Sequence, residues 1–290
     1  MLEANAMLAL AAAVLWGGGD FSGGMGAKNA GGTMRGALCV VLTSHAASFC
    51  VLVVLASLSG DPFPRGGPFW WGLLAGVMGG LSLTGFYVAL SRGAMGVSAA
   101  ISGLLAAAIP AAVSLAGEGS PGWRRIVGFF VAGASIWIIA AGDNPEAKPV
   151  SSGTTWLAIL SGAGFGVYFT ALKFAGVAGV VWPMATARIG SLTTCSLMLV
   201  AMSFTAEKER GWLPRRAVLW ALSTALLDTS GNMLFIASTR AGRLDVAAVL
   251  ASLYPASTIL LAAWMLHERP TRRQGFGMVV AAAAVVMITL

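Results

Sequence analysis

Residues 68–91 read PFWWGLLAGVMGGLSLTGFYVALS, twenty-four residues without one charged side chain. An α-helix rises 1.5 Å per residue, so such a run is long enough to cross the roughly 30 Å hydrocarbon core of a bilayer. Its aromatic start (Phe69, Trp70, Trp71) suits the headgroup region, and Gly72, Gly76 and Gly80 put a small-residue face at four-residue spacing. Working outward, comparable apolar runs occupy 4–26, 34–58, 96–116, 123–142, 154–173, 181–205, 216–239, 244–266 and 273–290. Gly31-Gly32, Asp61-Pro62-Phe63-Pro64, Pro121-Gly122, Pro214 and Pro270 punctuate them. Ten spans leave only short connections and no room for a soluble domain.

Composition agrees. Of 290 residues, 57% are hydrophobic and 10% charged, against about 25% charged in soluble domains. The net charge of +7 is spread as single or paired basic residues between the apolar runs. That is the pattern of membrane-flanking loops, not of a nucleic-acid-binding face. Cys39, Cys50 and Cys195 lie inside apolar stretches without disulfide or metal spacing, and read as small core residues. The run from Ala4 to Met25 has no basic segment before it and is too long for a cleaved signal, so it is taken as a first helix.

The two halves share an order of features. Tyr87–Arg92 (YVALSR) resembles Phe235–Arg240 (FIASTR), 148 residues on. Pro110 parallels Pro255, Glu118 parallels Glu268, and Arg124-Arg125 parallels Arg272-Arg273. Thr33-Met34-Arg35 opens the second span as Thr186-Ala187-Arg188 opens the seventh. Five spans per half is an odd number, so the second half enters the membrane from the opposite side. The expected fold is all-α: ten transmembrane helices in two inverted five-helix repeats, residues 1–145 and 146–290. Inverted repeats put a substrate site near the midplane between the halves and support alternating access.

An Arg opening the second span, a Pro within the fourth, a Glu ending it, then basic residues and a Gly opening the fifth, all duplicated, resemble the drug/metabolite transporter superfamily. Its ten-helix EamA-type members are the nearest in pattern, and among them the chain looks most like YddG-type aromatic amino acid exporters. Pro110 precedes Glu118 by eight residues and Pro255 precedes Glu268 by thirteen, so the repeat is out of register there. The resemblance implies an exporter of small neutral amino acids with aromatic or apolar side chains, facilitative or weakly proton-coupled; efflux of amphipathic drugs or other metabolites is the alternative, and a channel a more remote one. The chain is expected to act as a monomer, and its residues point to no cofactor, metal or nucleic-acid partner. The resemblance also implies a bacterial inner membrane with both termini in the cytoplasm. The charge count runs against that orientation, because the N-terminal side would hold seven of the 18 basic residues and the other side eleven.

Ionisable groups inside a membrane are functional candidates by default. Asp20 lies late in the first span, on one helix face with Trp16. Asp228 lies mid-way along the eighth, on a stripe with Thr224 and Asn232 that faces either a cavity or a neighbouring helix. Phe165, Tyr168 and Phe169 make an aromatic stripe on the sixth span, and Phe86, Tyr87 and Tyr254 also lie deep. These ten residues, Thr224 aside, are the candidate substrate-binding set, since aromatic walls with a few polar groups suit apolar or aromatic ligands. The cavity is expected between the first, third, sixth and eighth helices. His45 reads as hydrogen-bonded packing, Arg35 and Arg188 as arginines reaching for the headgroups, and Glu118 and Glu268 as ion-pair partners of the arginines that follow. An enzyme reading fails on residues: His267-Glu268 begins a zinc-binding HExxH pattern, but position 271 is Thr.

Overall fold

The computed structural model describes residues 3–92, 95–140, 151–205, 213–265 and 271–289. His267, Glu268, Pro270 and Trp212 lie outside the described residues. Those described form eleven α-helices and no strand: α1 (Ala4–Asn29), α2 (Met34–Ser59), α3 (Gly67–Arg92), α4 (Met95–Glu118), α5 (Trp123–Ala140), α6 (Ser152–Ala175), α7 (Val181–Thr205), α8 (Arg215–Ala241), α9 (Leu244–Ala251), α10 (Tyr254–Met265) and α11 (Arg272–Thr289). The chain is a multi-pass membrane protein. Seven stretches are long and apolar enough to cross a bilayer by length and composition, and α5, α8 and α11 are not among them.

The ninth span departs from expectation. It is broken after Ala251 into α9 and α10, with Ser252 and Leu253 in a turn. Pro255 stands in the first turn of α10, where a missing N–H costs nothing, but it could not continue a helix arriving from residue 251. Pro110, its counterpart by sequence, lies inside the unbroken α4. The two prolines therefore do different work.

Burial is inverted relative to a soluble domain. Leu226, Phe130, Phe204 and Phe276 point outward, while Arg188, Asp245, Asn232 and His45 are buried. Outward apolar faces meet lipid, and polar groups turn to one another because hydrocarbon offers them no partner. Trp70, Trp123, Trp156 and Trp264 are exposed, as an interfacial belt requires. Cys50 is exposed on the outer face instead of packing in the core, and only Cys195 is fully buried.

Glycines set the closest helix contacts. A Cβ on Gly76 of α3 would collide with the Ala187 carbonyl and lie 2.8 Å from the Gly190 Cα, both on α7. Gly72 meets Thr186 and Gly80 meets Ser191 and Cys195, so the whole stripe seats on α7. On α6, Gly162 faces Ser102 and Gly166 faces Ile109 of α4. Gly76 and Gly162 bring backbone against backbone, and the others seat a neighbouring side chain, in the small-residue packing that replaces hydrophobic association in lipid.

One end of the bundle is tied by polar bonds. Glu118 at the end of α4 takes a 2.7 Å ion pair from Lys173 of α6 and bonds from Ser114 and the Leu244 amide. Arg243 bonds Asp245 and the Glu118 and Gly119 carbonyls; Lys173 reaches the Thr239 carbonyl, and Arg240 the Gly176 carbonyl. Asn5 joins α1 to Ser238 and to the Arg243 carbonyl. Glu118 thus pairs across the bundle rather than with the arginines that follow it, and Arg125 pairs with Glu3 instead.

A candidate substrate cavity at the bundle centre

A cavity lies among the helix middles, walled by aromatic rings with a few polar groups among them, the makeup usual for small-molecule sites. Eight of the ten candidate residues line it: Trp16 and Asp20 from α1, Phe165, Tyr168 and Phe169 from α6, Asp228 and Asn232 from α8, and Tyr254 from α10. The backbone breaks beside Tyr254, at the α9–α10 turn. The third helix contributes Gly79 and Leu83. The second and seventh helices, absent from the expected set, contribute His45, Ala187, Arg188 and Ser191.

The apolar wall is a set of stacked rings. Trp16 lies on Phe169 with centroids 4.8 Å apart and planes 4° from parallel, and Phe169 stacks in turn on Phe165 at 6.4 Å. Phe235 supports the pair from behind, 4.9 Å from Phe169. Phe86 and Tyr87 do not line the cavity. Phe86 is wholly buried behind it, edge-on to Phe165 and Tyr254 at 5.7 and 6.3 Å. Tyr87 fills the notch left by Gly23 of α1. Both side chains hold the wall in place from the second layer.

The polar wall centres on Arg188, which is not at the membrane boundary. It starts the third turn of α7, with its side chain 4% exposed. Its Nη2 donates to Asp228 Oδ2 at 2.5 Å and to Thr229 Oγ1 at 3.2 Å, and its Nε to Ser48 Oγ at 2.9 Å. Ser48 and Thr229 are themselves 2.6 Å apart. The network binds α2, α7 and α8 together, and it satisfies a buried guanidinium as a low-dielectric interior demands. Nη1 takes part in none of these bonds. The expectation of a headgroup-seeking arginine fails because α7 begins at Val181, which puts Arg188 about 10 Å inside the span. Its sequence position, seven residues in, was a signal that this depth could have been read. Arg35, second in α2, stays at the helix end, half-buried.

Asp20 contrasts with Asp228. It is buried at 8% exposure, yet no described residue gives its carboxylate a hydrogen bond. Thr224, the third member of the α8 stripe, faces α1: its hydroxyl lies 3.0 Å from the Trp220 carbonyl and 3.4 Å from the Gly19 carbonyl, either of which can accept its one proton. Asn232 donates its amide to the Asp228 carbonyl at 2.8 Å, leaving Oδ1 buried and unpartnered. His45 Nδ1 lies 2.7 Å from Ser191 Oγ, and its Nε2 is buried and unpartnered. The hydrogen-bonded packing expected of His45 therefore accounts for one ring nitrogen only.

Comparison with known proteins agrees with this architecture. Residues 152–290, from the start of α6 onward, match the model of the EamA-like transporter family. No curated protein matches the sequence. A solved crystal structure superposes over 98% of this chain and 96% of its own, with a TM-score of 0.74 at 14% identity, which is a likeness of fold.

Proposed function

We propose that the protein carries small neutral amino acids with aromatic or apolar side chains across a bacterial inner membrane, by alternating access at the central cavity. One observation carries the reading: the cavity sets an unpartnered carboxylate, Asp20, and an arginine with an unused nitrogen, Arg188, beside a wall of stacked rings. An ammonium suits Asp20 and the bare Asn232 Oδ1. A carboxylate suits Arg188 Nη1, and an aromatic side chain suits the face of Trp16, Phe165 and Phe169. EamA-type similarity supports transport, and resemblance to YddG-type exporters supports amino acids and outward movement.

Inverted halves make alternating access possible, and the helix packing is compatible with them. Under the pairing of α1 with α6, α2 with α7 and α3 with α8, the extensive α1–α8 and α3–α6 contacts exchange with one another. The family model fits the second half alone, which supports residues 146–290 as one unit and 1–145 as its partner. The carrier works as a monomer, without a cofactor, and with facilitated or loosely proton-coupled movement. Both termini lie in the cytoplasm on this reading. The charge count opposes that placement: with Arg188 inside the bundle, the seven basic residues on that side become six, against eleven.

A second reading has its own observation. Asp228 neutralises Arg188, leaving Asp20 as the acid without a counter-ion, and stacked rings attract cations. Amphipathic cations would then be the cargo. Proteoliposomes separate the two: radiolabelled phenylalanine, tryptophan and threonine are offered with and without a pH gradient, beside a cationic dye. Saturable amino acid uptake with counterflow is the expected result. Clear transport of the dye, with no saturable uptake of any amino acid, overturns the assignment.

A further inference from the structure

We infer that the Tyr168 hydroxyl is a second anchor for the cargo's carboxylate, donating to it beside Arg188 and making that end of the cavity selective for acids. The inference rests on the amino acid reading of the same cavity.

Arg188 alone holds a carboxylate poorly. Its Nε and Nη2 are spent on Ser48, Asp228 and Thr229, so the two-nitrogen fork that usually grips a carboxylate is closed. Its charge is also already balanced by Asp228. One nitrogen remains for a group with two oxygens and about four lone-pair sites. A carboxylate leaving water for this cavity needs a further donor.

Tyr168 has the donor to spare. The chain has three tyrosines, all at the cavity or just behind it. The Tyr254 hydroxyl donates to the Ala99 carbonyl at 3.2 Å, and the Tyr87 hydroxyl is sealed in the second layer. That of Tyr168 bonds no described residue and is not sealed, although the residue is only 6% exposed and lines the cavity. A buried polar group left free in this way needs a physical account. Trp16 Nε1 is free as well, but that edge of the indole is pressed on Gly231 of α8, where a Cβ would lie 2.9 Å from the nitrogen.

Position puts the hydroxyl at the Arg188 end. The Tyr168 ring lies on Gly79 of α3, whose Cβ would come 3.0 Å from it, and Gly76, one turn away, meets Ala187 beside Arg188. Gly79 is twelve residues from the start of α3 and Asp228 thirteen from the end of α8. Both are counted from one end of the bundle, since Trp71 of α3 packs on Phe174 of α6 and Arg240 of α8 bonds the Gly176 carbonyl. At 1.5 Å per residue both lie about 18–20 Å deep. The Tyr168 hydroxyl lies in the fields of Asp228 and Arg188, whereas that of Tyr254 lies in the field of Asp20. Its ring is also tilted 50° from Phe169, out of the parallel stack. Tyr168 therefore joins the polar wall through its hydroxyl, and the ammonium end is left to Asp20.

The test is equilibrium binding to the full-length protein in detergent. The ligands are radiolabelled phenylalanine and, separately, radiolabelled 2-phenylethylamine, which keeps the ring and the ammonium but has no carboxylate. In Tyr168→Phe, which keeps the ring on Gly79, phenylalanine is expected to bind roughly ten- to a hundredfold more weakly. Binding of 2-phenylethylamine changes by less than about twofold. Equal weakening of both ligands is what a merely structural tyrosine gives, and it overturns the inference. Phenylalanine binding that survives Tyr168→Phe also overturns it, and keeps the amino acid reading. Where 2-phenylethylamine binds too weakly to measure, the thermal midpoint without ligand decides. A loss of phenylalanine binding with a shift below about 2 °C supports the role of the hydroxyl, and a larger shift overturns it. Wild-type protein that binds 2-phenylethylamine but no amino acid removes both the inference and the reading beneath it.

Discussion

The Arg188–Asp228 pair sets up a double-mutant cycle whose size follows from its geometry. The side chains are 4% and 13% exposed, joined at 2.5 Å, and the guanidinium has two further bonds, to Ser48 and Thr229. With charge centres about 4 Å apart and an effective dielectric near 20, the attraction is about 4 kcal/mol. That matches the roughly 3–5 kcal/mol lost when one partner of a buried pair is removed. Asp228→Asn leaves the guanidinium uncompensated, while Arg188→Met leaves the Asp228 carboxylate buried without its counter-ion. At about 2 °C per kcal/mol for a large chain, either single change lowers the thermal midpoint in detergent by roughly 6–10 °C. The double change Arg188→Met/Asp228→Asn removes both charges and recovers half or more of the summed loss. Unfolding of purified protein at one fixed heating rate, followed by the fluorescence of a thiol-reactive dye, measures all four corners. Additivity within about 0.5 kcal/mol, or single changes that shift the midpoint by less than about 2 °C, would refute the coupling.

Four further outcomes are expected. Gly76→Leu wedges α3 from α7 against the Ala187 carbonyl and lowers the yield of folded protein several-fold in size-exclusion chromatography, whereas Gly60→Ala, with open space around it, tests only its left-handed φ of 71° and loses about 1 kcal/mol. Glu118→Gln loosens the polar cluster tying α4, α6 and α8, so a cysteine at Thr239 in a background lacking Cys39, Cys50 and Cys195 is alkylated several times faster; an unchanged rate means the cluster holds nothing closed. Cysteines at Tyr168 and Asn232 react with a water-soluble thiol reagent and are protected by cargo, and inertness under every condition removes the cavity assignment. A C-terminal phosphatase fusion that is active in intact cells would move both termini to the periplasm.

The sequence was sufficient wherever one element answers to one solvent. Uncharged runs such as 68–91 had to become helices, because backbone groups in hydrocarbon can be satisfied only within the helix. Aromatic spacing alone put Phe165, Tyr168 and Phe169 on one face of α6, and that face does line the cavity. The stripe on α8 was legible for the same reason, although Thr224 turns to α1 and Asp228 and Asn232 to the cavity.

What tertiary structure alone decided are the relations between helices. Arg188 read as a boundary residue because its partners, Ser48, Asp228 and Thr229, come from helices 140, 40 and 41 residues away. Glu118 read as the partner of nearby arginines and is instead held by Lys173, 55 residues on. Phe86 and Tyr87 differ from Phe165 in standing one layer back, Tyr87 in the notch that Gly23 leaves between α1 and α3 and Phe86 edge-on behind Phe165 and Tyr254. His45 was half right for the same cause: a sequence shows that a histidine is buried, but only the packing of α2 on α7 shows that Ser191 fills one nitrogen and nothing fills the other. Periodicity within a helix is written locally in the chain. Partners across a bundle follow from close packing of all its helices at once, and no local stretch encodes that.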